Sequence, residues 1–345
     1  MAGAVMLARL LGDPAVAETL DAAAWTGVLT TARAEQLLGA LAHRVEGLEM
    51  PAAVAAILHD ARAAAIEARR GALWEAEGMR RTLAPLGVPL VLLKGTAFAA
   101  AGSSASRGRM IGDLDLLVPR DALDAVEATL LAAGWEWAKA DRYDQHYYRR
   151  WMHELPPLIH PDRDRPLDVH HTILPPTARA TPDAAAIIAA AVPLGTATKR
   201  GLFVPCAADM IVHAALHLFA DGDLTGGLRN LWDIDRLLHD HATPDFWPTL
   251  DDRAALHGAR AAVGRALRLA GALFGTPMPP ALTSPRRGDA LFRRRLLARD
   301  GWGRETRPVT RFAFYIRSHW IRMPAPLLAR HLAIKAWRRV VPARS

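Results

Sequence analysis

Residues 89–119 read PLVLLKGTAFAAAGSSASRGRMIGDLDLLVP, and they set two carboxylates, Asp113 and Asp115, in an otherwise apolar run. The run 113–118 is of strand length, and on a strand residues two apart share a face. A buried carboxylate without a partner is costly, and two on one face repel each other. A cation between them removes both problems, which is the physical argument for a metal site. Upstream, the run 88–93 (VPLVLL) is predicted to be a strand buried on both faces, with Pro89 tolerable near its start. It ends at Lys94-Gly95, and a small-residue loop carrying Arg107 and Arg109 follows.

The flanks are predicted to be helical. Residues 1–84 break at Pro14, Thr30-Thr31 and Pro51, and the longest helix spans 51–86, with Ile57, Ile66, Leu73 and Leu83 on one face and Gly87 as its stop. After the second strand, Asp121 and Asp124 are expected to cap a helix that buries Leu123, Val126, Leu130 and Leu131 and ends at Gly134. Further strands are expected at 143–152 and 165–174 (RPLDVHHTIL), with a hairpin-like connection between them through LPPL and PDRDRP. From Thr181 onward helix dominates, at 183–191, 207–220, 228–241 and 252–274. The sum is an α+β chain with a small mixed sheet. Its expected division is an N-terminal helical region (1–86), the sheet-bearing core (87–178), a helical domain (179–285) and a basic amphipathic tail (286–345).

Bulk properties exclude several classes. The single cysteine, Cys206, permits no internal disulfide framework and no cysteine-based zinc cluster, which fits a reducing cytoplasm. The N-terminus has no basic segment ahead of its apolar residues, so a signal peptide is not expected, and no charge-free apolar run reaches transmembrane length. The net charge of +8 is concentrated at one end. Residues 286–345 hold 16 Lys/Arg against 3 Asp/Glu, and the remainder holds 27 against 32. That tail, with Phe312, Phe314, Tyr315, Trp320 and Trp337 among its arginines, suits an anionic membrane surface, a nucleic acid or an acidic protein. The bland alternative is a terminal helix pair packed on the body with a solvated basic face.

Asp168 lies on the later predicted strand in the same apolar setting as the first two carboxylates. Three carboxylates from adjacent strands make an all-oxygen site for Mg²⁺ or Mn²⁺. Exposed carboxylates, or salt bridges to Arg107 and Arg109, explain the same pattern without a metal. The order of parts adds to the motif: Leu93-Lys94-Gly95, Arg109, Gly112-Asp113-Leu114-Asp115-Leu116-Leu117-Val118, Leu167-Asp168-Val169-His170, then HAALHLF at 213–219 and LRNLWDIDRLL at 228–238.

Together these residues, covering roughly 88–240, resemble a poorly characterised bacterial nucleotidyltransferase group of the polymerase-beta-like superfamily, with its LKG…R…GDhDLLV signature. The resemblance implies that Asp113 and Asp115 are the metal-binding pair and that Asp168 is the third carboxylate, near the acceptor hydroxyl. It also implies that Gly95 lies under the phosphates of an NTP. The superfamily's usual Gly-Ser or Gly-Gly pair is Gly95-Thr96 in this chain, and Gly95 is far from Asp113 in sequence. Lys94, Thr96 and Arg109 are the further candidates for nucleotide contact, with ion pairing to the aspartates as the alternative for Lys94 and Arg109. The implied reaction moves an NMP from an NTP to a hydroxyl acceptor and releases pyrophosphate. An acidic body favours a small-molecule or protein acceptor over nucleic acid. A catalytically silent binding module and a metal-dependent phosphoester hydrolase are the other readings of the same fold.

Other residues have weaker claims. His170 shares a face with Asp168 and is expected to contact substrate or orient a carboxylate, while His171 faces the other way. His213 and His217 are four apart, but no Glu stands at 214 to complete a protease motif, so packing is expected. Arg229 and Asp233, also four apart, are expected to pair within one helix, and by the resemblance Arg229 borders the cleft and reaches phosphate. Cys206 and the serines at 103, 104 and 106 lack the surroundings of nucleophiles.

Overall fold

A computed structural model of the chain describes residues 3–138, 148, 151–195 and 201–322. Four helices open it: α1 (Gly3–Gly12), α2 (Ala22–Ala34), α3 (Leu38–Arg44) and α4 (Ala52–Leu83). Asp21 caps α2 by accepting the Ala24 N–H at 2.7 Å. In α4 the buried side is formed by Val54, Leu58, Ala65, Ala68, Ala72, Ala76, Met79 and Leu83. The expected face was wrong in part, because Ile57 and Ile66 are 36% and 40% exposed. Alanines have no bulk to hold neighbours apart, so the alanine side packs closely while the larger isoleucines remain outside. A short 3₁₀ turn at Ala84–Leu86 and Gly87 at φ 65° then end the helical arm.

The strands are β1 (Leu90–Leu92), β2 (Leu114–Leu117), β3 (Glu136–Trp137), β4 (Leu158–His160), β5 (Arg163–His170), β6 (Val192–Pro193) and β7 (Leu202–Val204). They form one mixed sheet in the order β3-β4-β5-β2-β1-β7-β6. β2 runs parallel to β5 and antiparallel to β1, which runs parallel to β7. The expected α+β architecture, a mixed sheet flanked by helices, is the one observed. The sheet is wider than the sequence implied, since β6 and β7 fall where helix was expected to dominate.

Between β1 and β2, the expected loop is largely helical: α5 (Lys94–Ala100) precedes a 3₁₀ turn at Ser104–Ser106. Alanine's low cost in a helix explains the difference. The helix after β2, α6 (Leu123–Ala132), has no side-chain cap, so Asp121 does not cap it. It instead sits in a 3₁₀ turn, Arg120–Ala122. Of the predicted strand 143–152, Tyr148 and Trp151 are helical, and the Met152 N–H donates to the Tyr148 carbonyl at 3.0 Å. Residues 139–147, 149 and 150 lie outside the described residues. The strand that pairs with β5 is β4, so the expected hairpin exists but is shorter.

The second helical region holds α7 (Ala184–Ala189), α8 (Ala207–Leu216), α9 (Gly227–His241), α10 (Phe246–Leu256), α11 (Arg260–Phe274), α12 (Asp289–Leu296) and α13 (Pro308–Arg322). The single helix expected at 252–274 is two, separated at Gly258, whose φ of 62° interrupts the helical path. A π-turn, His217–Asp221, extends α8. One contiguous core runs from Ala4 through the sheet to Phe314.

Candidate active site

β2 and β5 are parallel neighbours in a register that sets Asp115 opposite Asp168. Asp113, just before β2, is exposed, Asp115 is buried and Asp168 is intermediate. One oxygen from each of the three carboxylates lies within 4.8 Å of the others. The cluster is therefore open at Asp113 and closed behind Asp115. The Asp168 Oδ1 atom is buried and accepts no hydrogen bond. An all-oxygen donor set with an unsatisfied buried oxygen fits a hard divalent cation.

The charges around the cluster are unequal. Lys94 Nζ donates to Asp115 Oδ1 at 2.6 Å, and His170 Nε2 lies 2.9 Å from the same oxygen. Burial opposes the Asp115 charge, but Lys94 and His170 outweigh it and hold the carboxyl well below its ordinary range. For Lys94, burial works against the ammonium and the Asp115 charge overcomes it, leaving the group pushed up to about 12. Asp168 goes the other way: burial first, then the charges of Asp115 and Glu154, push it up to about 7. Asp115 is thus held charged by protein cations, while its neighbour Asp168 is favoured in the neutral form.

Lys94 itself has φ 47°, a left-handed conformation that turns the chain from β1 into α5. Gly95 follows in the first turn of that helix. A Cβ on Gly95 would stand 2.6 Å from Arg109 Nη1, so the space left by the missing side chain is filled by a guanidinium. Thr96 is buried and its hydroxyl has no hydrogen-bond partner. Arg109 donates from Nε to Asp233 Oδ2 at 3.0 Å and packs over the Phe98 ring.

The expected Arg229–Asp233 bond is not formed. Arg229 donates instead to Gln36 Oε1 at 2.5 Å and to Asn230 Oδ1 at 3.4 Å. Arg109 reaches Asp233 from the loop before β2, a long-range partner that helical spacing does not reveal. Burial pushes the Asp233 carboxyl up against the pull of Arg109 and Arg229. Lys94, Arg109, His213, His217, Arg229 and Asp233 line one narrow pocket of about 30 Å³. His213 is buried there, and burial followed by the charge of Lys94 holds it well below the ordinary imidazole range.

His170 contacts a carboxylate, although it is Asp115 rather than Asp168. His171 lies 3.3 Å from the Met152 carbonyl on the other side of the strand. Arg107 is exposed. Sequence reading did not single out His153 or Glu154, which meet His170 across an isolated antiparallel bridge between Glu154 and His170. The only trace in the sequence is that His153-Glu154 and His170-His171 flank the same hairpin.

The largest cavity among those described, about 910 Å³, lies elsewhere, walled by α1, α11 and α12 with Arg9, Arg293, Arg294 and Arg307 at its rim. It contains none of the three clustered carboxylates. The small pocket contains none of them either, but Lys94, which lines it, donates to Asp115 and so ties it to the cluster. A family described as uncharacterised nucleotidyltransferase has a model that matches residues 21–275. No curated protein matches the chain.

Proposed function

The chain belongs to that uncharacterised nucleotidyltransferase family, and on this premise we propose that it moves an NMP from an NTP to a hydroxyl acceptor with release of pyrophosphate. The observation that carries the reading is the β2–β5 register, which brings Asp113, Asp115 and Asp168 within reach of one cation. We place the core in the polymerase-beta-like superfamily on the same ground. Asp113, Asp115 and Asp168 would hold Mg²⁺ or Mn²⁺, which supplies charge neutralisation for the triphosphate and the departing pyrophosphate.

In the reaction, the acceptor oxygen bonds to the α-phosphorus while the bond from that phosphorus to the pyrophosphate oxygen breaks. Asp168 takes the hydroxyl proton. Lys94 holds Asp115 charged and in place. Arg109 and Arg229 face the triphosphate, with Gly95 and Thr96 beneath it. A pocket of about 30 Å³ holds roughly one water, so nucleotide entry requires Arg109 to leave Asp233 for phosphate, which its planar fork suits. The acceptor is a small molecule or a protein.

The basic C-terminal segment meets an anionic membrane surface in this reading. The support is α13, whose inner side buries Thr310, Phe314 and Ser318. Its outward side carries Val309, Phe312 and Trp320, 82%, 62% and 47% exposed. The outer face expected to be basic is thus apolar, since Arg317 turns inward to the Phe219 carbonyl and Arg311 pairs with Glu305. Residues 323–345, which include the amphipathic run 327–341, lie outside the described residues. Among the described residues no helix is long and apolar enough to cross a membrane.

The test uses NTPs labelled at the α-phosphate, Mg²⁺ and cell extract, with the native protein beside Asp113→Ala/Asp115→Ala. Label moved onto an acceptor by the native protein alone supports transfer. Label released as free NMP or nucleotide product without an acceptor replaces it with hydrolysis, and inactivity with all four NTPs and either metal replaces it with a binding role.

A further inference from the structure

Behind the carboxylate cluster lies a second group of metal-ligating side chains that the proposed reaction does not use. His170 Nδ1 faces Glu154 Oε2 at 3.3 Å, and His153 Nε2 stands 3.7 Å from the same oxygen. The His153 and His170 rings are 5.2 Å apart, tilted by 31°. One ligating atom from each residue lies within 4.8 Å of the others. Zinc bonds to imidazole nitrogen and carboxylate oxygen are about 2.0–2.2 Å, so neighbouring ligands of a tetrahedral ion are separated by about 3.3–3.5 Å. The two imidazole–carboxylate separations, 3.3 and 3.7 Å, already approach that spacing.

The group rests on firm backbone. The Leu155 N–H donates to the Val169 carbonyl at 2.8 Å, and the His171 N–H to the His153 carbonyl at 2.9 Å. These bonds pin 153–155 against the end of β5 on both sides of the Glu154–His170 bridge. His170 is 1% exposed, and its Nδ1 has no hydrogen-bond partner. Its other nitrogen, Nε2, is 2.9 Å from Asp115 Oδ1. A metal-bound histidine commonly donates its second ring N–H to a carboxylate, which fixes the tautomer and the ring plane. With Nδ1 on a metal and Nε2–H on Asp115, His170 meets both conditions at once.

We propose that His153 Nε2, Glu154 Oε2 and His170 Nδ1 bind a zinc-like divalent cation, distinct from the cation of the three aspartates. Two imidazoles and one carboxylate suit zinc, whereas the all-oxygen aspartate cluster suits magnesium or manganese. The fourth position is left to water or a further ligand. His170 then links the two sites, so that the bound metal fixes the orientation of Asp115. This assignment does not depend on the transfer reaction, since it concerns metal binding alone.

The experiment strips the full chain of metal with a chelator, adds zinc, removes the excess and measures zinc per chain by elemental analysis. Cobalt(II) substitution is followed in parallel for the intense visible absorption of a tetrahedral ion. One zinc per chain is expected for the native protein and for Asp113→Asn. His153→Ala and the near-isosteric Glu154→Gln are expected to weaken zinc binding at least tenfold, with circular dichroism and melting used to confirm folding. His213→Ala tests the other histidine pair and is expected to keep its zinc. The assignment is overturned if the folded native protein takes up no zinc, if the folded Glu154→Gln chain keeps native affinity, or if the loss follows His213→Ala instead.

Discussion

At the scale of single residues, the site is an arrangement of unlike neighbours around Asp115. Lys94 and His170 share one of its oxygens, and that carboxylate is almost wholly buried. Replacing Lys94 with Met removes the charged partner and leaves the carboxylate behind, a change that typically costs about 3–5 kcal/mol for a buried pair. Because the Lys94 side chain is 25% exposed, a loss toward the lower end is expected in chemical denaturation. Asp168 gives the opposite sign. The folded chain keeps its proton up to about 7, whereas the ordinary value is 3.8. Between those values the folded state binds more protons than the unfolded state, so this group's contribution to stability falls as pH rises. Asp168→Asn is expected to raise the melting temperature of the metal-free protein at pH 7 and to lose that advantage near pH 4, while abolishing any stabilisation by Mn²⁺. The three aspartates were legible because strand periodicity and an apolar setting make isolated charges conspicuous. The Arg109–Asp233 and Glu154–His170 contacts were not, since each joins segments whose approach is decided by packing rather than spacing.

At the scale of elements, the approach to β2 is fixed by close backbone contact. Gly108, at φ 71°, lies against Gly39 of α3, and a Cβ on Gly108 would stand 2.1 Å from Gly39 carbonyl atoms. The next residue is Arg109. Gly108→Ala must therefore push α3 away from the loop and adopt an unfavourable φ, with an expected cost of about 3 kcal/mol or more. Thermal melting measures it, and an unchanged melting temperature would mean that this contact does not hold the loop. The long elements were legible from composition and period: α4, α9 and the two central strands lie where they were expected. The errors concern short pieces. β7 has three residues, too few to display a period, and is a strand because β1 offers it a parallel edge. α5 looked like a loop because its small residues carry no apolar stripe, and the break at Gly258 was hidden in a continuous helical pattern.

At the scale of the whole molecule, charge is segregated: a surplus of acid over the first 285 residues, and 16 basic against 3 acidic side chains beyond them. The segregation was visible in the sequence, but the apolar outer stripe of α13 required the packing of Phe314 to show which side faced inward. Full-length protein is expected to sediment with vesicles containing anionic lipid and to be released by salt. Val309→Asp with Phe312→Asp is expected to weaken that binding several-fold without changing label transfer. Binding that survives both substitutions, or that is equal with neutral vesicles, would remove the membrane from the account.

The central claim is that the β2–β5 register builds one cation site from three aspartates. Electron paramagnetic resonance of Mn²⁺ titrated into zinc-saturated protein measures this directly. One bound Mn²⁺ per chain is the expected result, with affinity lost in Asp113→Asn, Asp115→Asn and Asp168→Asn alike and kept in Glu154→Gln. Failure of the folded native protein to bind Mn²⁺ even with NTP present, or native affinity in the three Asn variants, would contradict it.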